Sequence, residues 1–564
     1  MKSKLNPSRH IQSALVTAAA LALMPLHAAD VDTTGTTITL NFNNPGNKYI
    51  GNGTLEVSGG STVELATGGG SPSSEFAMTD GLIRIVSGTT LRNGGWQKGV
   101  WTNNKSDMQV SGTFDIWDGN PVTIDALTGA GSILKGNGGN SPTLLTLGIL
   151  DGGGTFSGTL ANGTGSIALT KVGSGTQILS NTSSYSGATL VNGGTLERQG
   201  AAISTFRSAT TIASGATMKV TGNTTNYIGG NYNQLALGSS STGTLKIDGA
   251  GTLVIANYVG LGNASGAATI DIAMGSGGLI DIQSGALVNG GHGKATWTTN
   301  KADMNIASGA AFDIWDGNAV TIDALTGSGS VINGSNSTGL RSLTIGADNG
   351  SGNFDGVIGG GKSGGQNQGI NLISITKTGS GTQTLSGTNS YTGATTVSGG
   401  KLVINGNIST SSLTTVASNA TLAGTGTVGA TTVNGTFAPG DGGIESLAIV
   451  GNLTLNSGSF SLFEINTAGD LADLATATAA MAFGGTLSVT NIGAALANGD
   501  TFNLFDWGTT ASGTFSTVSL PGLTDGLTWD QSQLYTNGTI TVVPEPSAAL
   551  LGGLGMLALL RRRR

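Results

Sequence analysis

Four short units decide the fold: Thr244-Leu-Lys-Ile-Asp248, Thr252-Leu-Val-Ile255, Ala268-Thr-Ile-Asp-Ile272 and Leu279-Ile-Asp-Ile282. Apolar and polar residues alternate within each, which is the period of a pleated strand. Gly, Ser and Asn separate the units, as sharp turns require. No unit is long enough to bury its own apolar face. Coils of about 20 to 25 residues, stacked so that neighbours share one interior, solve that problem. The expectation is an all-β chain, a right-handed parallel β-helix (solenoid) over residues 30–440.

Composition agrees. Of 564 residues, 97 are Gly, and only 10% are charged, against about 25% in ordinary globular proteins. Hydrophobic residues reach 37%, too many for a disordered acidic chain. There is no Cys, which excludes disulfides and thiolate metal sites. The net charge is −7, but Lys2, Lys4, Arg9 and Arg561 to Arg564 lie in terminal segments; without them, 17 basic residues face 31 acidic ones. Nucleic-acid binding needs the opposite balance.

The body is duplicated at a spacing near 200 residues. Trp101-Thr-Asn-Asn-Lys-Ser-Asp-Met108 returns as Trp297-Thr-Thr-Asn-Lys-Ala-Asp-Met304. Phe114-Asp-Ile-Trp-Asp-Gly-Asn120 returns as Phe312-Asp-Ile-Trp-Asp-Gly-Asn318, and Lys171 to Gly194 as Lys377 to Gly400. The offset drifts, so small insertions are expected in the turns. The related halves run from about 80 to 200 and from 277 to 402. From 441 to 541 the chain is less Gly-rich, as in Ser461-Leu-Phe-Glu-Ile465. That stretch reads as a β-rich cap, with room for one short helix around Leu471 to Ala480.

Both ends read as addresses. Lys2, Lys4 and Arg9 precede the apolar run Ala14–Met24, Pro25 and the small pair Ala28-Ala29. This is the pattern of a secretory signal over residues 1–29. At the other end, residues 542–564 hold Pro544-Glu545-Pro546, the apolar run 548–560 and the cluster Arg561, Arg562, Arg563 and Arg564. A helix over that run spans roughly 20 Å, short of a hydrocarbon core of about 30 Å. Snorkelling arginines extend it to a marginal membrane helix, with the cluster on the cytoplasmic side.

This tail resembles the PEP-CTERM sorting signal. The resemblance rests on Pro544, Glu545, Pro546 and the Arg cluster. It implies processing by an exosortase-type enzyme, a transient inner-membrane anchor, and delivery to the cell surface or an extracellular matrix. A second resemblance lies in Leu169-Thr-Lys-Val-Gly-Ser-Gly175 through Tyr185-Ser-Gly187 to Leu196, and in Ile375-Thr-Lys-Thr-Gly-Ser-Gly381 through Tyr391-Thr-Gly393 to Leu402. These segments are similar to the autotransporter-associated β-strand repeat, which implies a β-helix and no activity. True autotransporters end in a membrane β-barrel. No such pattern precedes this tail, and the sorting signal is expected to take its place.

Reactive chemistry is scarce. His10 and His27 lie in or beside the signal, and His292 sits in a Gly-rich turn. A Ser-His-Asp triad or a zinc site has almost nothing to draw on. Asp115 and Asp118, with Asp313 and Asp316, flank Trp117 and Trp315; Asp125 and Asp323 follow. Carboxylates there suit calcium or a lyase or hydrolase groove, but Asp-Gly-Asn is also ordinary turn chemistry. Strand alternation puts Phe114, Ile116 and Asp118 on one side and Asp115 and Trp117 on the other. Trp117 and Trp315 then either stack on sugar rings or form a ladder along the coils. No catalytic residue, cofactor or metal ligand is assigned. The expectation is an exported structural or adhesive protein, whose candidate partners are exopolysaccharide or surface glycans. The alternatives are a β-helical polysaccharide lyase or hydrolase and a carbohydrate-binding surface module.

Overall fold

The computed structural model describes residues 30–41, 46–65, 73–94, 99–117, 120–137, 141–181, 183–199, 208–221, 234–235, 244–256, 258–261, 269–290, 295–314, 319–334, 339–360, 372–545, 555–558 and 560–562. The expected signal, residues 1–29, lies outside them, as do His292, Asp118, Trp315, Asp316, Pro546, Arg563, Arg564 and most of 548–560. The chain divides into two compact units. Unit 1 holds Met1–Leu179 with Ser184–Gly187; unit 2 holds Ser180–Ser183 with Ala188–Arg564.

Both units are stacked parallel sheets, the β-solenoid that the alternation calls for. In unit 1, Asp107–Val110, Thr113–Asp115 and Val122–Ile124 lie in three different sheets. The next coil repeats them in register: Met108 pairs with Leu127, Phe114 with Ile133 and Val122 with Leu145. Side chains therefore stack like on like. Leu55, Ile83, Met108 and Leu127 form one such column, each fully buried. Each contributes about 1.5–3 kcal/mol of transfer free energy, which no isolated coil can collect.

Unit 2 uses the same device, with Leu253, Ile280, Met304 and Leu325 in one buried column. Successive coils differ in length, from 15 residues between Thr421 and Thr436 to 37 between Thr210 and Ile247. The expected 20–25 falls within that range; turns absorb the rest. On the outer face of another sheet, Thr321, Thr344, Thr376, Thr396, Thr415, Thr432 and Thr454 lie side by side. Threonine suits a pleated, half-buried surface.

Parallel pairing crosses residue 440 without a break. Thr436 pairs with Phe460, Phe460 with Thr486 and Thr486 with Thr517. Beyond, Thr501–Asn503 and Leu527–Asp530 both pair antiparallel with Thr539–Pro544. The short helix for which Leu471 to Ala480 had room is not formed: Leu471–Ala472 and Leu474–Ala477 are strands. Ala475 and Ala477 are buried between the less buried Leu474 and Thr476. The period there is two, and helix propensity loses to the ladder. At the tail, Pro544 ends its strand opposite Leu527, and the Glu545 N–H donates to Gly526 O at 2.9 Å. Gly555–Ala558, Leu560 and Arg561 are helical and Arg562 follows in a turn. Among the described residues, no helix is long and apolar enough to cross a membrane.

Candidate functional site

Two pairs of acids, Asp107 with Asp303 and Asp125 with Asp323, are committed to the backbone, and both copies commit them alike. Asp125 Oδ1 accepts the N–H groups of Leu150 and Gly152 at 2.7 and 2.8 Å. Asp323 Oδ1 accepts those of Asp348 and Gly350, both at 2.7 Å. The turns they anchor hold Asp151 and Asn349 at φ 67° and 71°, a left-handed conformation that Asp and Asn tolerate better than most. Those two side chains accept from the N–H groups of Ser174 and Ser380 at 2.6 and 2.9 Å. Asp107 and Asp303 likewise accept from Ala126 and Ala324, each at 3.0 Å, and burial pushes both carboxyls above the usual range.

Lys171 and Lys377 are fully buried. Their ammonium groups donate to carbonyls of the following turn: Val172 and Gly173 in one copy, Thr378 and Gly379 in the other. Burial lowers both pKa values. These groups close turns at the ends of strands. Among the described residues, no group of three or more His, Asp or Glu is placed to hold a metal.

Asp115 departs from its expected side. The strand ends at Asp115, and Trp117 turns to φ 53°, so alternation does not carry through. Asp115 is buried. Its Oδ1 accepts the N–H groups of Trp117 and Gly136 at 3.0 and 2.8 Å, and its Oδ2 faces Arg92 Nε at 3.3 Å. Arg92 also pairs with Glu64 at 2.7 Å and lies 4.2 Å from the centre of the Trp117 ring. Gly94 and Gly136 pack so closely that a Cβ on either would lie 2.1 or 2.8 Å from the indole. Trp117 is thus a clamped, half-buried ring. In unit 2, Asp313 is buried and its Oδ1 accepts the Gly334 N–H at 2.8 Å.

An aromatic stack does exist, at a different tryptophan. Tyr49, Phe76, Trp101 and Phe114 follow one another inside unit 1, with centroids 5.5, 3.9 and 5.7 Å apart. In unit 2, Trp297 meets Phe312 edge-on at 5.5 Å, and its Nε1 donates to Gly290 O at 3.1 Å. Trp101 and Trp297 are each 1% exposed, so the tryptophan of the repeated motif is core.

A concave feature of unit 2 lies elsewhere. A cleft of about 250 Å³ is lined by Lys401, Asp441, Leu462, Glu464, Asp473 and Ser488, among others. Lys401 Nζ is paired with the Asp441 carboxylate. Asp473 is buried; its two oxygens accept the N–H groups of Glu445 and Glu464 at 3.0 and 2.7 Å. Burial, reinforced by those two neighbouring carboxylates, pushes its pKa up to about 6. Reading the sequence did not single out these residues as a site. The signal available was Ser461-Leu-Phe-Glu-Ile465, where large apolar residues replace glycine.

Comparison with known proteins points to the same repeats. The family model described as Passenger-associated-transport-repeat matches residues 169–197 and 375–404. The chain is also 29% identical, over 232 residues, to the Adhesin BmaC autotransporter of Brucella suis biovar 1 (strain 1330). That match covers 35% of this chain and 6% of the relative.

Proposed function

We propose that this chain is an exported, non-enzymatic solenoid that acts by adhesion at a bacterial surface or in its matrix. One observation carries the reading: both segments that match the passenger repeat, 169–197 and 375–404, spend their Lys and Tyr side chains on the fold. Lys171 and Lys377 close turns, Tyr185 and Tyr391 are buried, and Asp125 and Asp323 hold backbone. A lyase or hydrolase groove needs acids that are free to move protons, and these acids are occupied. Any release of unsaturated uronate from a glycan panel overturns this part.

The tail would supply the address. In this reading Pro544, Glu545 and Pro546 are recognised by an exosortase-type enzyme, the apolar run and Arg561 to Arg564 hold the chain transiently in the inner membrane, and the body is released outward. Fractionation of cells carrying a tagged chain, with and without residues 544–564, tests it. Surface delivery is expected to fail on deletion; unchanged delivery overturns the sorting role. Displayed on a non-adherent host, the full chain is expected to confer attachment.

A further inference from the structure

One sheet of unit 2 carries a second outward row, Thr382, Lys401, Thr421, Thr436, Phe460, Thr486 and Thr517, in which Lys401 and Phe460 interrupt the threonines and Phe460 is the apolar one. Thr421 pairs with Thr436, and Thr486 with Thr517. Between them stands Phe460, opposite Thr436 on one side and Thr486 on the other. Phe460 is 51% exposed. Packing does not ask for it: the inward positions of its strand are Ser461, Phe463 and Ile465, all buried. Threonine at 460 would continue the row with equal β-propensity. The ring instead keeps half its surface in water, forgoing burial worth about 25 cal/mol per Å².

Phe460 does not stand alone. Leu462, next on the same face, is 43% exposed and lines the cleft. Glu464 follows it. The adjoining strand sets Thr486, Ser488 and Thr490 opposite these three residues. An apolar strip therefore runs beside a strip of hydroxyls and ends on a carboxylate. A pyranose ring has the matching form, one apolar C–H face with hydroxyls around its rim. The cleft, at about 250 Å³, is below the drug-sized range of roughly 300–1,000 Å³ and suits a single ring.

Charge narrows the class further. Among the described residues lining the cleft, Lys401 is the only cation, and Asp441 already neutralises it. Glu464 would meet any uronate or phosphate with repulsion. We propose that Phe460, Leu462 and the adjoining cleft bind a neutral glycan. One pyranose lies on the apolar pair, and its hydroxyls meet Thr486, Ser488 and Glu464. The inference rests on the adhesive reading for the surroundings in which the chain meets such a polymer.

The test is affinity electrophoresis of the full chain through gels cast with galactomannan, mixed-linkage β-glucan or dextran, and with the polyuronate alginate. At least one neutral polymer is expected to retard the chain, and alginate to leave it unretarded. Phe460→Thr matches both flanking strands and keeps the fold, which circular dichroism verifies. It is expected to weaken retardation by about tenfold, as the loss of one aromatic contact does. Trp117→Ala is expected to leave it unchanged. No retardation by any neutral polymer, equal retardation of Phe460→Thr, or stronger retardation by alginate overturns the proposal. Attachment of displaying cells is scored in parallel. If Phe460→Thr cells attach as well as the parent, this site falls and the adhesive reading stands; if the parent chain confers no attachment, the adhesive reading falls.

Discussion

Gln383 grips Leu325 by both of its backbone polar groups. The Leu325 N–H donates to Gln383 Oε1 at 3.1 Å, and Gln383 Nε2 donates to Leu325 O at 2.9 Å. The residues are 58 apart in sequence, and Gln177 repeats the grip on Leu127. An amide has one donor and one acceptor side, so it can stand in for a strand where the ladder has none. Gln383→Leu keeps the volume and leaves a buried N–H and C=O without partners. The expected cost is about 3 kcal/mol, with loss of hydrogen-exchange protection at Leu325 and none at Leu127.

The anchored turns give a second prediction. Asp323→Ala strips two N–H groups of their acceptor and is expected to cost about 2–4 kcal/mol. Asp323→Asn keeps one oxygen and is expected to cost less. Limited proteolysis between 346 and 350 reads the difference. Because Asp115 Oδ1 and Asp323 Oδ1 are already filled by N–H groups, calcium or a chelator is expected to leave the unfolding midpoint where it is. A rise with calcium would contradict the assignment.

Trp117 is expected to behave as a structural ring. Arg92→Ala removes the cation over the indole, worth about 1 kcal/mol, and also the partner of Glu64 and Asp115. Indole emission should shift to the red as water reaches the ring. Arg92→Met, which covers the ring without charge, should restore part of the blue emission and little of the stability.

Asp473 sets a pH dependence. Its pKa of about 6 lies above that of an unfolded carboxyl, so the folded chain holds the proton more tightly. Its contribution to stability is therefore full below about pH 4 and lost as pH rises through 6. Exchange protection of the Glu445 and Glu464 amides should fall between pH 5 and pH 7. Asp473→Asn satisfies only one of the two N–H groups, so protection should be lower throughout and flat across that window.

Much of this was legible in the sequence because a solenoid's interior follows a period of two. Leu253, Ile280 and Met304 could be assigned inward from their own segments. The duplication was legible too, and Asp125 and Asp323, at matching places in the two copies, hold matching turns. Alternation failed where the strand stopped: Trp117 leaves the pleat at positive φ, and Asp115 turns inward to cap its own turn. At 471–480 the sequence left room for a short helix, and the neighbouring strands imposed a ladder. Phe460 was hidden for another reason. Its neighbours are fixed by register across coils of unequal length, and no single segment shows which threonines will flank it.

The equivalence of the coils has a genetic corollary. Where neighbouring coils offer the same inward column and the same outward threonine, a crossover between misaligned copies rejoins compatible edges. Lineages can then lengthen or shorten the array while its exterior chemistry stays constant. A coil bearing Phe460 differs from these, since duplicating it would add a second platform, and losing it would leave an intact array with nothing to hold.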